Sequence, residues 1–337
     1  MTCLQQKKAS HRVPWLLSLG MLLAVLLMAS ACASVPAGTG TGFTFNKTPT
    51  TGGVGGGATA IVPGKGTGTT PPATTSPGTT LINATVTYAS VKTTIVDVQQ
   101  ASSFADDSST SASNPGAVRI DFNEETGAAQ PSYAYGTVLR LILPDNTRIE
   151  PLNSKESTSP AASVSRKNWV DFSVPLTVNV KQLTLRFGTA AEAPIDIVLK
   201  PNSDVSQYQA KTATPNKQVQ YKDQYSQTNW TLTTVSSQLS DDGQQATKGM
   251  VYVVVSLKID NPSQGEFSGN PSAYMRLKAG DATSSLSNYT IPLSFAPGTS
   301  NATGTVSFLV PQGNTSFTFV LLATGTAQEA TIPFQIS

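Results

Sequence analysis

One histidine and two cysteines are all that this 337-residue chain contains, and all three, Cys3, His11 and Cys32, lie within its first 32 residues. The remainder has no imidazole to serve as a general base, no thiolate nucleophile and no thiolate or imidazole metal ligand. That excludes Ser-His-Asp and Cys-His catalysis and thiolate zinc sites. No disulfide can staple the chain once one cysteine is left, so stability has to come from buried apolar surface. Charged residues are scarce too, at 12%. No basic run follows the first residues, and nucleic acid as a partner has no electrostatic support. Long stretches with a 3.6-residue apolar period are also missing, which argues against helices.

What is present begins with an address. Lys7, Lys8, His11 and Arg12 precede an uncharged run over residues 13–28, followed by Ala29, Ser30, Ala31 and Cys32. Residues 1–31 read as an export signal. Small neutral residues directly before a cysteine resemble the bacterial lipobox, although Ala29 stands where leucine is usual. The resemblance implies that Cys32 is acylated with diacylglycerol and becomes the first residue of a protein tethered to the cell membrane, facing the extracellular or periplasmic side. Ordinary signal peptidase would cut the same bond and leave a soluble protein. An uncleaved anchor is the third reading, and the run is short against the roughly 20 residues of a spanning helix. Removing Lys7, Lys8 and Arg12 leaves 19 basic against 20 acidic side chains.

Residues 32–81 are dominated by Gly, Thr, Pro and Ser, a composition that cannot repay its own ordering entropy. They read as a disordered tether, about 40 Å between its ends as a flexible coil and about 160 Å fully drawn out. Beyond it the pattern turns to period two. Val170, Phe172 and Val174 alternate with Asp171 and Ser173, and Val251, Val253, Val255, Leu257 and Ile259 alternate with more polar neighbours. Turn signals such as Pro144-Asp145-Asn146 and Asp241-Asp242-Gly243 separate the runs, so the expected class is all-β. A repeat divides the chain. Leu139-Arg140-Leu141 matches Met275-Arg276-Leu277, and Val170, Phe172, Val174 and Pro175 match Val306, Phe308, Val310 and Pro311, both at an offset of 136. Two tandem β-sandwich domains are expected, at 82–200 and 218–337, joined by a polar linker over 201–217. The first copy is weaker around 118–123, where Asp121 interrupts the apolar alternation.

The second copy carries Trp230, Leu232 and Val235, the turn at Asp241-Asp242-Gly243, a strand from Tyr252 to Asn261, and a closing run Gly304, Val306, Phe308, Val310, Pro311. This set resembles the immunoglobulin-like "immunoprotective extracellular" domain of bacterial lipoproteins and of a secreted mycobacterial antigen. The resemblance implies a two-sheet sandwich behind a lipid anchor and a flexible stalk, and it implies no catalytic residues and no cofactor.

Candidate sites are few. Asp106-Asp107 and Asp241-Asp242, with Asp121, Asp260 or Glu266, offer oxygen ligands for calcium, yet paired acids in loops serve equally as solvated turn formers. Two carboxylates facing one another across a cleft would be needed for glycoside hydrolysis, and no long inserted loop supplies such a cleft. Trp169 has the opposite parity from Val170, Phe172 and Val174 and is expected to face away from the core near Arg166 and Lys167, placed to stack on a sugar or a protein partner or to cover an edge. Trp230 is in phase with Leu232 and is assigned to the core. Tyr133, Tyr135 and Tyr274 lie near strand starts and are candidates for a surface binding patch.

Overall fold

The computed structural model describes residues 78–106 and 116–337, all within one compact unit. The export signal, Cys32, the tether before Gly78 and Asp107 lie outside the described residues. In chain order the first half contains β1 (Gly78–Tyr88), β2 (Val91–Ala101), β3 (Ala117–Thr126), β4 (Leu139–Ile142), β5 (Arg148–Ile149), β6 (Asn153–Ser154), β7 (Ser165–Ser173), β8 (Thr184–Phe187) and β9 (Ile195–Val198). The second half contains β10 (Lys211–Ala213), β11 (Lys217–Lys222), β12 (Gln227–Gln238), β13 (Ser240–Asp241), β14 (Gln244–Gln245), β15 (Met250–Asp260), β16 (Phe267–Ser268), β17 (Met275–Ala279), β18 (Ala282–Tyr289), β19 (Ser294–Phe295), β20 (Ala302–Pro311), β21 (Ser316–Leu321) and β22 (Ala330–Gln335). The α-helices among the described residues are two four-residue turns, α1 (Tyr135–Val138) and α2 (Pro271–Tyr274). The protein is all-β, and every strand pair among the described residues is antiparallel.

Alternation builds the layers. Val253, Val255, Leu257 and Ile259 of β15 are buried while Val254, Ser256 and Lys258 between them stay half-exposed. Each such burial contributes roughly 1.5–3 kcal/mol. In the first half the sheets β1-β2-β3-β7-β6 and β5-β4-β8-β9 enclose one apolar core, including Ile95, Ile120, Phe122, Phe172, Leu185 and Ile197. In the second half the corresponding strands form one continuous sheet, β10-β12-β15-β20-β18-β17-β21-β22 with β11 also on β12, folded over a second core. Its two layers are joined through one strand into a nearly closed sandwich. The switch is β18, whose first residues pair with β17 and whose last pair with β20. Its counterpart in the first half is cut into β5 and β6 around Pro151, which has no N–H to donate to a ladder.

The repeat has a structural counterpart at the same offset. Arg140 Nη1 donates to the carbonyls of Gly136 and Leu139, at 2.8 and 2.6 Å, and Arg276 Nη1 does the same to Ser272 and Met275 at 2.8 and 2.6 Å. Three points differ from the sequence reading. The first strand begins at Gly78 rather than 82. Asp121 does not break β3, which runs unbroken with Asp121 on its outer face, because a strand tolerates a charge on the side that is not buried. Residues 201–217 are more than a linker: Tyr208 packs on the first core and Lys211–Ala213 pairs with β12.

Candidate functional site

The residue pair Asp242-Gly243 closes β13 onto β14 in a two-residue hairpin, both residues at positive φ (45° and 77°), the geometry that an Asp-Gly type I′ turn supplies. Asp242 is exposed at its tip, but Gly243 is buried. Gly243 N–H donates to Ser90 Oγ at 2.9 Å, and a Cβ on Gly243 would stand 2.7 Å from the Gln130 carbonyl oxygen. Gln245 accepts from Ala89 N–H at 3.1 Å and donates to the Ala193 carbonyl at 2.9 Å. Ala193 N–H donates to Ala246 and Lys248 N–H to Ala191, both at 2.8 Å, and Leu239 packs on the first core. The second half thus docks on one end of the first through backbone and amide bonds. Ala89 and Ser90, the turn between β1 and β2, sit at φ 46° and 63°. Non-glycine residues hold that conformation at a cost of roughly 1–2 kcal/mol each. The contacts from Gln245 and Gly243 land on these two residues and hold the turn.

Gly243→Ala is expected to loosen this joint, combining a disfavoured φ with the clash against Gln130, at a cost of about 2 kcal/mol. Limited proteolysis between the halves should accelerate several-fold while the β-sheet circular dichroism is retained. Unchanged cleavage would show that the hairpin does not hold the halves together.

A cleft of about 700 Å³ opens at the joint, lined from the first half by Tyr88, Gln130, Tyr133 and Glu192 and from the second by Gln244 and Gln245. Tyr133 is its half-buried aromatic wall, edge-on to Tyr88 (centroids 5.3 Å apart) and to Tyr135 (5.7 Å). The Tyr88 hydroxyl donates to Glu192 Oε2 at 2.9 Å, and Thr189 N–H donates to the same oxygen at 2.7 Å. Burial first raises both phenol pKa values, with Glu192 adding to it at Tyr88 and Tyr135 and Glu124 adding to it at Tyr133, so both stay protonated. The Tyr133 oxygen is buried with no hydrogen-bond partner. Rings, amides and neutral hydroxyls around one carboxylate suit recognition of a polar ligand.

Of the sequence-predicted site residues, Tyr133 alone lines this cleft. Tyr135 is 1% exposed, its hydroxyl bonded to Glu124, which Arg166 pairs at 2.8 Å; it belongs to the interior and not to a surface patch. Tyr274 is 3% exposed and packs against Trp230, Tyr221 and Phe267, again inside a core. Both were assigned outward because the short turns α1 and α2, which tuck them in, leave no period in the sequence. Trp169 does face away from the core, but its cation is neither Arg166 nor Lys167. The Arg119 guanidinium lies 3.8 Å from the Trp169 ring and 4.2 Å from that of Phe104. Trp169 is on the outer face of β7, is absent from the lining of the Tyr133 cleft, and does not join the tyrosines in one patch.

The acidic turns are also engaged. Arg119 pairs with Asp106 at 2.8 Å, and that hydrogen bond holds the Asp106 carboxyl below its ordinary value. Beside it, burial and the cross-strand neighbour Asp97 push the Asp121 carboxyl up to about 6, with Gln99 donating to both acids. Asp260 accepts from Asn301 N–H. Among the described residues no group of three or more His, Cys, Asp and Glu is placed to hold a metal ion. Sequence reasoning missed Tyr88, Glu192, Ser90 and Gln245. No local pattern marks them, since each acquires its role from the docking of distant segments. No protein-family profile, curated protein or solved structure matches this chain.

Proposed function

We propose that this chain is a non-enzymatic, lipid-anchored cell-surface protein whose two immunoglobulin-like modules bind an envelope polymer or a protein partner. Cys32 carries the lipid, the stretch before Gly78 lifts the head from the membrane, and the modules present the binding surface. The observation that carries the binding half of this reading is the preformed cleft at the joint, walled by Tyr133 and edged by Glu192, Gln244 and Gln245. A ligand seated there would touch both halves, whose relative placement the 240–248 contacts hold in advance, so little ordering entropy opposes binding. The same stiffness favours a second reading, a rigid spacer in a membrane complex.

Replacing Cys32 with serine is expected to move at least nine-tenths of the protein from the membrane to the soluble fraction. Retention in the membrane would overturn the lipid anchor. The released Cys32→Ser protein should co-sediment with insoluble envelope polymer or capture a defined partner, and Tyr133→Ala should weaken that by about tenfold, the scale of losing one stacked ring. Binding that ignores Tyr133 would remove the cleft from the reading, and no binding at all would leave the spacer.

A further inference from the structure

Across the outer face of the sheet β5-β4-β8-β9 runs a row of charges in register. Glu150 pairs with Arg140 at 3.0 Å, Arg140 stands directly opposite Arg186, and Arg186 opposite Asp196. Two guanidinium groups opposite one another on neighbouring strands repel. The fold asks for only one of them. Arg140 clips its own turn, as Arg276 does in the second half, but the row through Arg276 continues into Val320 and Thr331, not a second arginine. Arg186 is therefore an addition of the first half.

Its donors are only partly used. Arg186 grips Asp196 through Nε and Nη2, both at 2.6 Å, and no bond of its Nη1 is found among the described residues. Arg148 on β5 is exposed, and no ion pair or hydrogen bond of its side chain is found among the described residues; the same holds for the ammonium of Lys248. Lys248 comes from the second half, brought in by its backbone bond to Ala191. Arg140, Arg148, Arg186 and Lys248 line one cleft of about 420 Å³ with Thr137, Gly188, Thr189 and Glu192. The single carboxylate in that lining, Glu192, already accepts from Tyr88 and Thr189. Counting Glu150 and Asp196 as well, positive charge remains in excess.

We propose that this cleft binds an anionic group, phosphate or carboxylate, carried on a polysaccharide-type polymer. Guanidinium forks and an ammonium match such oxyanions, and a partly shielded cleft strengthens the attraction over that at an open surface. Four cations in a short cleft serve one or two charges, not the long phosphate track of a nucleic acid. The cleft shares Thr137, Thr189 and Glu192 with the larger one at Tyr133, so an uncharged stretch of the same polymer would continue past that ring. The inference deepens the binding reading and rests on it for the source of the polymer, but its chemistry is tested separately.

The test is titration calorimetry of the full chain in detergent against inorganic phosphate, a soluble polyuronate and an uncharged dextran of equal length. At least one anionic probe is expected to bind, with affinity falling as salt rises. The Arg148→Gln, Lys248→Gln double variant, which removes no side-chain bond found among the described residues, should weaken it at least tenfold with an unchanged melting temperature. Phosphate without polyuronate binding assigns the anion as phosphate, and the converse assigns carboxylate. Absence of binding by both anions, or equal affinity in the double variant, would overturn the anion site. If at the same time envelope polymer were still retained through Tyr133, the binding function would stand without it.

Discussion

Replacing Arg119 with leucine is expected to destabilise the protein by about 3–5 kcal/mol, the range seen when one partner of a buried ion pair is removed. The side chain lies on the outer face of β3, flat between Phe104 and Trp169, with Nε and Nη2 on the two oxygens of Asp171 at 2.8 and 2.7 Å. Asp171 is 0% exposed. Without the guanidinium that carboxylate stays in a dry site, and Trp169 loses its cation, a further fraction of the effect. The second partner provides the control. Asp106, at 52% side-chain exposure, is solvated on its own, and Asp106→Asn should cost no more than about 1 kcal/mol. Urea unfolding of the two variants measures the contrast through their midpoints. Equal midpoints would show that the network is not organised around the buried acid.

Truncating Trp230 to alanine is expected to cost about 3–5 kcal/mol, the range for an aromatic removed from a packed core. Trp230 is 0% exposed, its ring 5.7–6.2 Å by centroid from those of Phe295, Phe267 and Tyr274, and its Nε1–H donates to Thr228 Oγ1 at 2.8 Å. The equivalent position in the first half is Thr93, and where Trp230 pairs with Ile259, Thr93 pairs with Glu124. There the interior is filled by a polar set instead: the Glu124 carboxylate held by Arg166 and the Tyr135 hydroxyl. Thermal and urea denaturation of Trp230→Ala should therefore show a lowered transition, and a loss below about 1 kcal/mol would mean that the aromatic cluster is not the organising core of the second half.

The β-class of the fold was legible because alternation is a local property. Val170, Phe172 and Val174, or Val253 to Ile259, declare a buried face whatever they end up packing against, and the pairing of the two halves at an offset of 136 could be read from matching letters. Trp230 was placed in the core by parity alone. Tyr135 and Tyr274 were not, because α1 and α2 are too short to leave a period and turn the rings inward just before the strands begin. Asp121 was misjudged for a related reason: an outward charge interrupts the letters of a strand without interrupting its hydrogen bonds.

The candidate site was less legible still. Of its walls, sequence reasoning named only Tyr133. Tyr88, Glu192 and Gln245 are separated by more than fifty residues along the chain, and their meeting depends on a hairpin whose turn was recognised but whose docking site was not. The same holds for Arg148, Arg186 and Lys248, each an ordinary surface cation until the strands and the joint collect them.

By itself, then, the sequence determined a residue inventory without histidine or thiol beyond Cys32, the alternation that makes strands, and the letters repeated at an offset of 136. Those follow from composition and from neighbours in the chain. Only the tertiary structure decided that the halves dock, which tyrosine faces a cleft, and that Arg119 and not Arg166 or Lys167 covers Trp169. Contacts of that kind depend on which distant surfaces fit together once the entropy of bringing them there has been met, and no local pattern encodes that outcome.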